Sequence, residues 1–356
     1  MPRDTPPLPC PVIWRNGVQI AGTILWCDAL RARGLCFISN AHVRARAAHR
    51  QILTTPRTQA LLAAQGIPAP TADRTDTARA QATARAQAEI LVTPYGRPFS
   101  LGPLRLELFP SGHLPGAASL LVQHEGRRVI YGGDVCPRPP GEPPGLAEPC
   151  EVRSGEVLVL SAPVAALGQP LPPRAEAGAQ LIDAVQRALA RHQTPVVLAP
   201  ALGAAQEALV WLAQAGISVR AHPRIAALAA AYRQQGLALP ALSPVGASRQ
   251  SPLLWPLELR AAPALARQAP AYRIAVTGLA LAPDAAARLG VDVAVPLADH
   301  GDLQALLAYV RATGASEVHL TSGYRDVLVQ ALAAQGVRAY RLGPPQQMDL
   351  PWPAHL

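Results

Sequence analysis

Lysine is absent from this 356-residue chain, so all 32 of its basic side chains are arginine. Together with abundant Ala, Leu and Pro, that absence reflects a GC-rich coding sequence, and arginine richness of this origin is no functional signature. Cysteine is scarce, with Cys10, Cys27, Cys36, Cys136 and Cys150 alone. They form no CxxC pair and have no histidine at zinc-finger spacing, which excludes a cysteine-based zinc module. No apolar run reaches the roughly 20 residues that a membrane span needs. The start, Met-Pro-Arg-Asp-Thr-Pro-Pro, lacks the apolar stretch of a secretory signal. The expectation is a soluble cytoplasmic protein with reduced, mostly buried thiols.

Half of the residues are apolar, enough for a sizeable core in one large domain or two ordinary ones. The formal charge is +9, and residues 1–90 carry 11 Arg against 5 acidic side chains. A basic surface of this kind attracts polyanions, nucleic acid among them; the alternative is a generally basic soluble protein. Short apolar or β-branched runs bounded by turn residues predict strands at Val18–Trp26, Leu35–Ser39, Leu104–Phe109, Ser119–Gln123, Arg128–Tyr131 and Val157–Leu160. Residues 78–88 repeat Ala-Arg-Ala-Gln and read as a solvated helix or loop. Residues 137–149 are too rich in proline for a strand or helix. After about residue 174 the period becomes helical, at Ala179–Arg191, Ala204–Ala215, Arg224–Gln234, Leu303–Thr313 and Arg325–Gln335. Short apolar runs lie between these helices, the pattern of a parallel α/β layer.

The polar motifs follow in order. Phe37-Ile38-Ser39-Asn40-Ala41-His42-Val43-Arg44-Ala45-Arg46 comes after a predicted strand. Phe109-Pro110-Ser111-Gly112-His113 and Tyr131-Gly132-Gly133-Asp134 are next. Leu297-Ala298-Asp299-His300-Gly301-Asp302 and His319-Leu320-Thr321-Ser322-Gly323-Tyr324 stand near the end. The series resembles the β-CASP branch of the metallo-β-lactamase fold, closest within it to bacterial ligase-associated DNA exonucleases, also labelled mRNA 3′-end-processing-like exonucleases. The resemblance covers nearly the whole chain. It implies an αββα sandwich formed by residues 1–170 and 286–356, interrupted by an inserted α/β β-CASP domain at 171–285.

The resemblance also implies a two-metal hydrolase whose first motif is His-x-His-x-Asp-His, in which paired ions activate a water against a phosphodiester. His42, His113 and Asp134 match ligands of that set. Asn40 stands where the first His belongs, Arg44 where the Asp belongs, and Ala45 where a second-metal His belongs. Ser322 replaces the C-terminal His, and Ser161 replaces an acidic residue after its strand. Three of seven expected ligands remain. An arginine offers a metal no lone pair, and its charge repels a divalent ion. The second site is therefore expected to be empty, with Arg44 free to pair with Asp134. Three surviving ligands and a water can hold one zinc.

The leading expectation is a degenerate nuclease-like protein, inactive or impaired, that acts by binding single-stranded DNA or RNA or a DNA-repair partner; the resemblance implies a ligase and a helicase as company. The alternative is an active exonuclease with a mononuclear zinc site on His42, His113 and Asp134, with His300 assisting the leaving group and Asn40 adding a carbonyl ligand. A scaffold that recruits partners by its surface is a third reading. The expected cofactor is none or one zinc, with two zinc or manganese ions only if the ligand assignment fails. Arg31, Arg33, Arg44, Arg46, Arg50 and Arg57 either contact phosphates near the site or form a solvated face. Asp302 is expected to cap the helix that begins near Leu303. His49, His124, His192, His222 and His319 read as structural or exposed.

Overall fold

The computed structural model describes residues 11–42, 49–66, 89–139, 141–142, 145–243, 251–266 and 271–344. Short strands build a first, six-stranded sheet: β1 (Val12–Trp14), β2 (Val18–Ile20), β3 (Leu25–Cys27), β4 (Leu35–Phe37), β5 (Gln51–Thr54) and β6 (Glu89–Val92), paired in that order. The first two pairings are antiparallel and the rest parallel. The expected strand Val18–Trp26 is thus two strands, because the chain turns at Gly22 with φ +74°. Helix α1 (Pro56–Ala64) follows β5. Thr55 caps it by accepting from the Thr58 amide, and Pro56 fills the first turn, where no intrahelical donor is lost.

A second sheet is formed by β7 (Phe99–Leu101), β8 (Leu104–Pro110), β9 (Ala118–His124), β10 (Arg127–Asp134) and β11 (Val157–Ser161). It is completed, when the chain returns, by β17 (Glu317–Ser322) and β18 (Arg338–Arg341), in the order β18-β17-β11-β10-β9-β8-β7. Its central strands are apolar at nearly every position, so both faces need cover. One face supplies Leu106, Leu108, Leu120, Val122, Val157 and Val159, which meet Leu35, Phe37 and Leu53 of the first sheet in one buried cluster. The other face supplies Leu121, Ile130, Leu158 and Leu160 to a second cluster. There they pack on two helices introduced below. Cys36 and Ile38 turn to the outer face of the first sheet, where Leu62 of α1 packs on their cluster. The layers are helix, sheet, sheet, helix. Each fully buried Leu, Val or Phe contributes about 1.5–3 kcal/mol, so the doubly covered strands dominate the cohesion of this unit.

Between β11 and β17 the chain builds a third, wholly parallel sheet from β12 (Thr194–Ala199), β13 (Arg220–Ala221), β14 (Leu253–Pro256), β15 (Ala271–Val276) and β16 (Val293–Val295), ordered β13-β14-β12-β15-β16. Helices α2 (Arg174–Ala190), α3 (Ala204–Gln214) and α4 (Pro223–Gln234) cover the face that carries Val197 and Ala199; α5 (Pro263–Ala266) and α6 (Ala285–Leu289) are short. Strand β16 lies past residue 285, where the sequence reading ended this segment. The helices on the second sheet are α7 (Leu303–Thr313), which contributes Leu306 and Val310, and α8 (Asp326–Ala333), which contributes Leu328 and Leu332. Asp302 caps α7 by accepting from the Ala305 amide at 2.9 Å, as its spacing predicts, and its other oxygen accepts from Leu171 N. Among the described residues, no helix is long and apolar enough to cross a membrane.

The turn after β17 depends on Gly323. Its φ is +70°, and a Cβ there would lie 2.1 Å from the Ala162 carbonyl oxygen. Gly126, with φ +76°, has open space around it. The left-handed conformation alone costs an L-residue roughly 1–2 kcal/mol, and overpacking typically adds about 1–3 kcal/mol. Gly323→Ala is therefore expected to lower the unfolding free energy by about 1–3 kcal/mol more than Gly126→Ala, read from urea midpoints of the two variants.

Candidate functional site

Loops leaving the C-terminal ends of seven strands converge on one cluster. The exit of β4 delivers Ser39, Asn40 and His42; β8 delivers His113, β10 Asp134, β11 Ser161 and β17 Ser322. The exit of β16 brings Asp299 and His300, and that of β12 brings Leu202 and Gly203. Gly112 makes the β8 turn possible: its φ is +76°, and a Cβ would meet the Cys136 carbonyl oxygen at 2.5 Å. His42, His113 and His300 lie edge to face, with ring centroids 5.1 and 4.6 Å apart.

Each ring has a different hydrogen-bond state. The Nε2 of His42 donates to the Leu202 carbonyl at 3.0 Å, and the Nδ1 of His113 donates to the Asp299 carbonyl at 2.7 Å. A carbonyl only accepts, so these nitrogens carry the protons. The neutral rings then keep bare lone pairs on His42 Nδ1 and His113 Nε2. The His113 ring is fully buried, its Nε2 has no hydrogen-bond partner among the described residues, and burial pushes its pKa down to about 4. His300 is the opposite case. Its Nδ1 donates to Asp299 Oδ1 at 2.7 Å and its Nε2 to Asp134 Oδ1 at 3.2 Å. Burial alone would lower its pKa, but the two carboxylates raise it to about 10, so the ring is an imidazolium with no lone pair left.

Asp134 is held on its other oxygen as well. Asn40 Nδ2 donates to Asp134 Oδ2 at 3.1 Å and to Ser39 Oγ at 3.0 Å, while Asn40 Oδ1 accepts from the His42 amide at 2.8 Å. The Asn40 carbonyl is thus already engaged. Burial would raise the Asp134 pKa, but the bond from His300 and a further one from Ser161 hold it well below the usual carboxylate range. Ser161 Oγ and Ser322 Oγ share a hydrogen bond of 2.9 Å. Behind Asn40, Ser39 donates from its amide and hydroxyl to Asp28 at 2.8 and 2.6 Å, and Tyr131 donates to Asp28 at 2.9 Å. Burial pushes the pKa of Asp28 up to about 6 against these donors.

The groups whose ligand atoms lie within 4.8 Å of one another are His42–His113–Asp299 and His113–Asp134–His300. His42 and Asp134, paired as ligands in the sequence reading, fall in different groups. Asp299 joins the cluster as a ligand candidate that the sequence reading quoted only as the neighbour of His300. Arg44, Ala45 and Arg46, and the expected pairing of Arg44 with Asp134, lie outside the described residues, as does the 78–88 repeat. The other arginines of the expected cluster are dispersed. Arg33 and Arg50 stand at the starts of β4 and β5, at the far end of the sheet from Asn40; Arg33 stacks over Trp26, 3.6 Å from the ring centroid. Arg31 lies in the β3–β4 connection. Arg57 pairs with Glu148 and donates to the Gln235 carbonyl. Two arginines without an assigned role, Arg138 and Arg174, line a cavity of about 20 Å³ with His113, Asp299, Glu207 and Tyr232. That volume suits about one water and excludes a nucleotide.

These residues do not fit a pair of ions. Among the described second-ion positions, Ser161 and Ser322 are closed on each other, and both oxygens of Asp134 carry hydrogen bonds. They do fit a single ion, because two neutral imidazoles present lone pairs while a carbonyl holds each opposite N–H, the usual outer-shell arrangement of a ligating histidine.

No protein-family model matches the chain. It is 28% identical over 348 residues to a protein of Opitutus terrae named probable DNA ligase, a match covering 96% of this chain and 32% of that protein. It is 38% identical over 127 residues to an uncharacterized protein of Synechocystis sp., covering 34% of this chain and 23% of the other. The chain thus matches about a third or less of the length of these relatives.

A histidine raised from about 6.5 to about 10 contributes stability that is fully present below pH ~6.5 and is lost as pH rises through ~10. The unfolding free energy is expected to fall between pH 6.5 and 10 more steeply in the unaltered protein than in His300→Gln. Parallel denaturation curves for the two proteins would contradict the imidazolium.

Proposed function

We propose that this chain is a non-hydrolysing member of the β-CASP branch of the metallo-β-lactamase fold, akin to the ligase-associated exonucleases, and that it acts by binding single-stranded nucleic acid beside a DNA-repair partner. In this reading residues 1–170 and 286–356 form the metallo-β-lactamase part and 171–285 the β-CASP insertion. The observation that carries the loss of hydrolysis is the state of Asp134. A carboxylate that bridges two ions must turn an oxygen to each, and Asp134 gives its oxygens to His300 and Asn40 instead. His300, which would assist the leaving group in the active relatives, is bound on both nitrogens by carboxylates.

Two further findings support the reading. The helix–sheet–sheet–helix layers, broken between β11 and β17 by a parallel-sheet unit, match the architecture that the motif order implies. The similarity to a segment of a longer protein named probable DNA ligase favours a ligase as the partner. The net charge of +9 favours a polyanionic ligand. The competing reading, a single-ion hydrolase, draws on the bare lone pairs of His42 and His113, but it requires Asp134 to leave both of its donors.

Fluorescence anisotropy with a labelled single strand is expected to show binding that weakens about tenfold or more between 50 and 200 mM salt, through counterion release. The same strand is expected to stay intact with zinc or manganese; metal-dependent shortening would overturn the reading. The variant combining Asn40→His, Arg44→Asp, Ala45→His and Ser322→His restores the ligand types of the two-ion set. It is expected to carry about two ions per chain by elemental analysis, and no gain over the unaltered protein would refute the alignment of the first motif.

A further inference from the structure

We propose that the protein holds one zinc-class divalent cation on His42 Nδ1, His113 Nε2 and the Asp299 carboxylate, a set that differs from the one the resemblance implies and that serves as a structural clamp. This goes beyond the strand-binding reading and does not depend on it. The first support is the unmet acceptor: His113 is fully buried, and its Nε2 has no partner among the described residues. A buried acceptor left bare costs about 1–3 kcal/mol, and a cation satisfies it. The second is the fixed orientation of both imidazoles, whose N–H groups are tied to the Leu202 and Asp299 carbonyls.

The third support is the choice between carboxylates. Asp134 already accepts on both oxygens, whereas Asp299 gives Oδ1 to His300 and keeps Oδ2 without a hydrogen bond among the described residues. That free oxygen lies 3.7 Å from His42 Nδ1. Two ligands on a tetrahedral zinc with bonds of about 2.0–2.1 Å are roughly 3.3 Å apart, so the pair needs to close by only a few tenths of an ångström. Two nitrogens, one carboxylate oxygen and a water suit zinc better than magnesium or calcium. An ion so held ties the β4 and β8 exits of the sandwich to the loop after β16. Through the bond from His42 to Leu202 it also reaches the third-sheet unit.

Chelator-treated full-length protein titrated with Co²⁺ tests the proposal through the visible absorption of the four-coordinate ion. One equivalent is expected, displaced by zinc. Asp299→Asn should weaken binding by about 100-fold or more, since even an outer-shell loss costs about 10–100-fold. Asp134→Asn should change it by less than about threefold. Absence of Co²⁺ binding, or loss with Asp134→Asn and retention with Asp299→Asn, overturns the site. If Asp299→Asn does not fold, the histidine ring signals of the unaltered protein decide: zinc should move those of His42 and His113, and unmoved signals refute the assignment. Strand binding measured on the same ion-free protein reads the functional proposal separately.

Discussion

The imidazolium of His300 lies between two buried carboxylates, and the geometry of the whole cluster depends on that contact. Asp134 comes from the sandwich and Asp299 from the loop that leaves the third sheet. Two carboxylates this close repel, and a buried carboxylate without a partner is costly to keep ionised. His300 meets both, at 3.2 and 2.7 Å, and so converts a repulsion between two units of the fold into a joint. The remaining negative charge is met by neutral donors: Asn40 on Asp134, with Ser39 and Asp28 behind it.

Much of the fold was legible because its central strands and its later helices obey simple periods. The runs at Leu104–Phe109, Ser119–Gln123 and Val157–Leu160 became β8, β9 and β11, whose sequences are apolar on both faces because both faces are covered. Leu303–Thr313 coincides with α7, since Asp302 marks its start and Gly314, in the left-handed region, its end. The short strands β1, β5, β6 and β7 left too few residues for a period to register. Helix α1 had a start signal in Thr55-Pro56, but it buries few residues and carries no strong apolar stripe.

The site was legible as residue types in order, and much less so as partners. Asn40, His42, His113, Asp134, Ser161, His300 and Ser322 all arrive at one cluster. What the sequence could not show is that main-chain oxygens decide the state of two rings. The carbonyls of Leu202 and Asp299 have no residue signature, yet they fix which nitrogen of His42 and His113 is bare. The arginine cluster failed to gather for a related reason. Positions close in sequence to the β4 exit lie a strand's length apart once β4 and β5 run parallel, and Arg57 is taken by Glu148.

The residues that stand in for absent ligands also explain how such a site stays folded without two ions. Removing a cation from buried acceptors leaves them unmet at about 1–3 kcal/mol each, more for a charged group. Asn40 supplies two donor bonds where a histidine ligand would supply none to Asp134, and its carbonyl still caps the His42 amide. Ser161 and Ser322, each too short to reach an ion that a histidine would reach, find each other at 2.9 Å. The half of the cluster around Asp134 is thus satisfied by hydrogen bonds alone. The half around His113 is not, since its Nε2 lacks any donor. A site that had only decayed would leave orphans at random; here the unmet atom lies beside the ring whose tautomer is already set for a ligand.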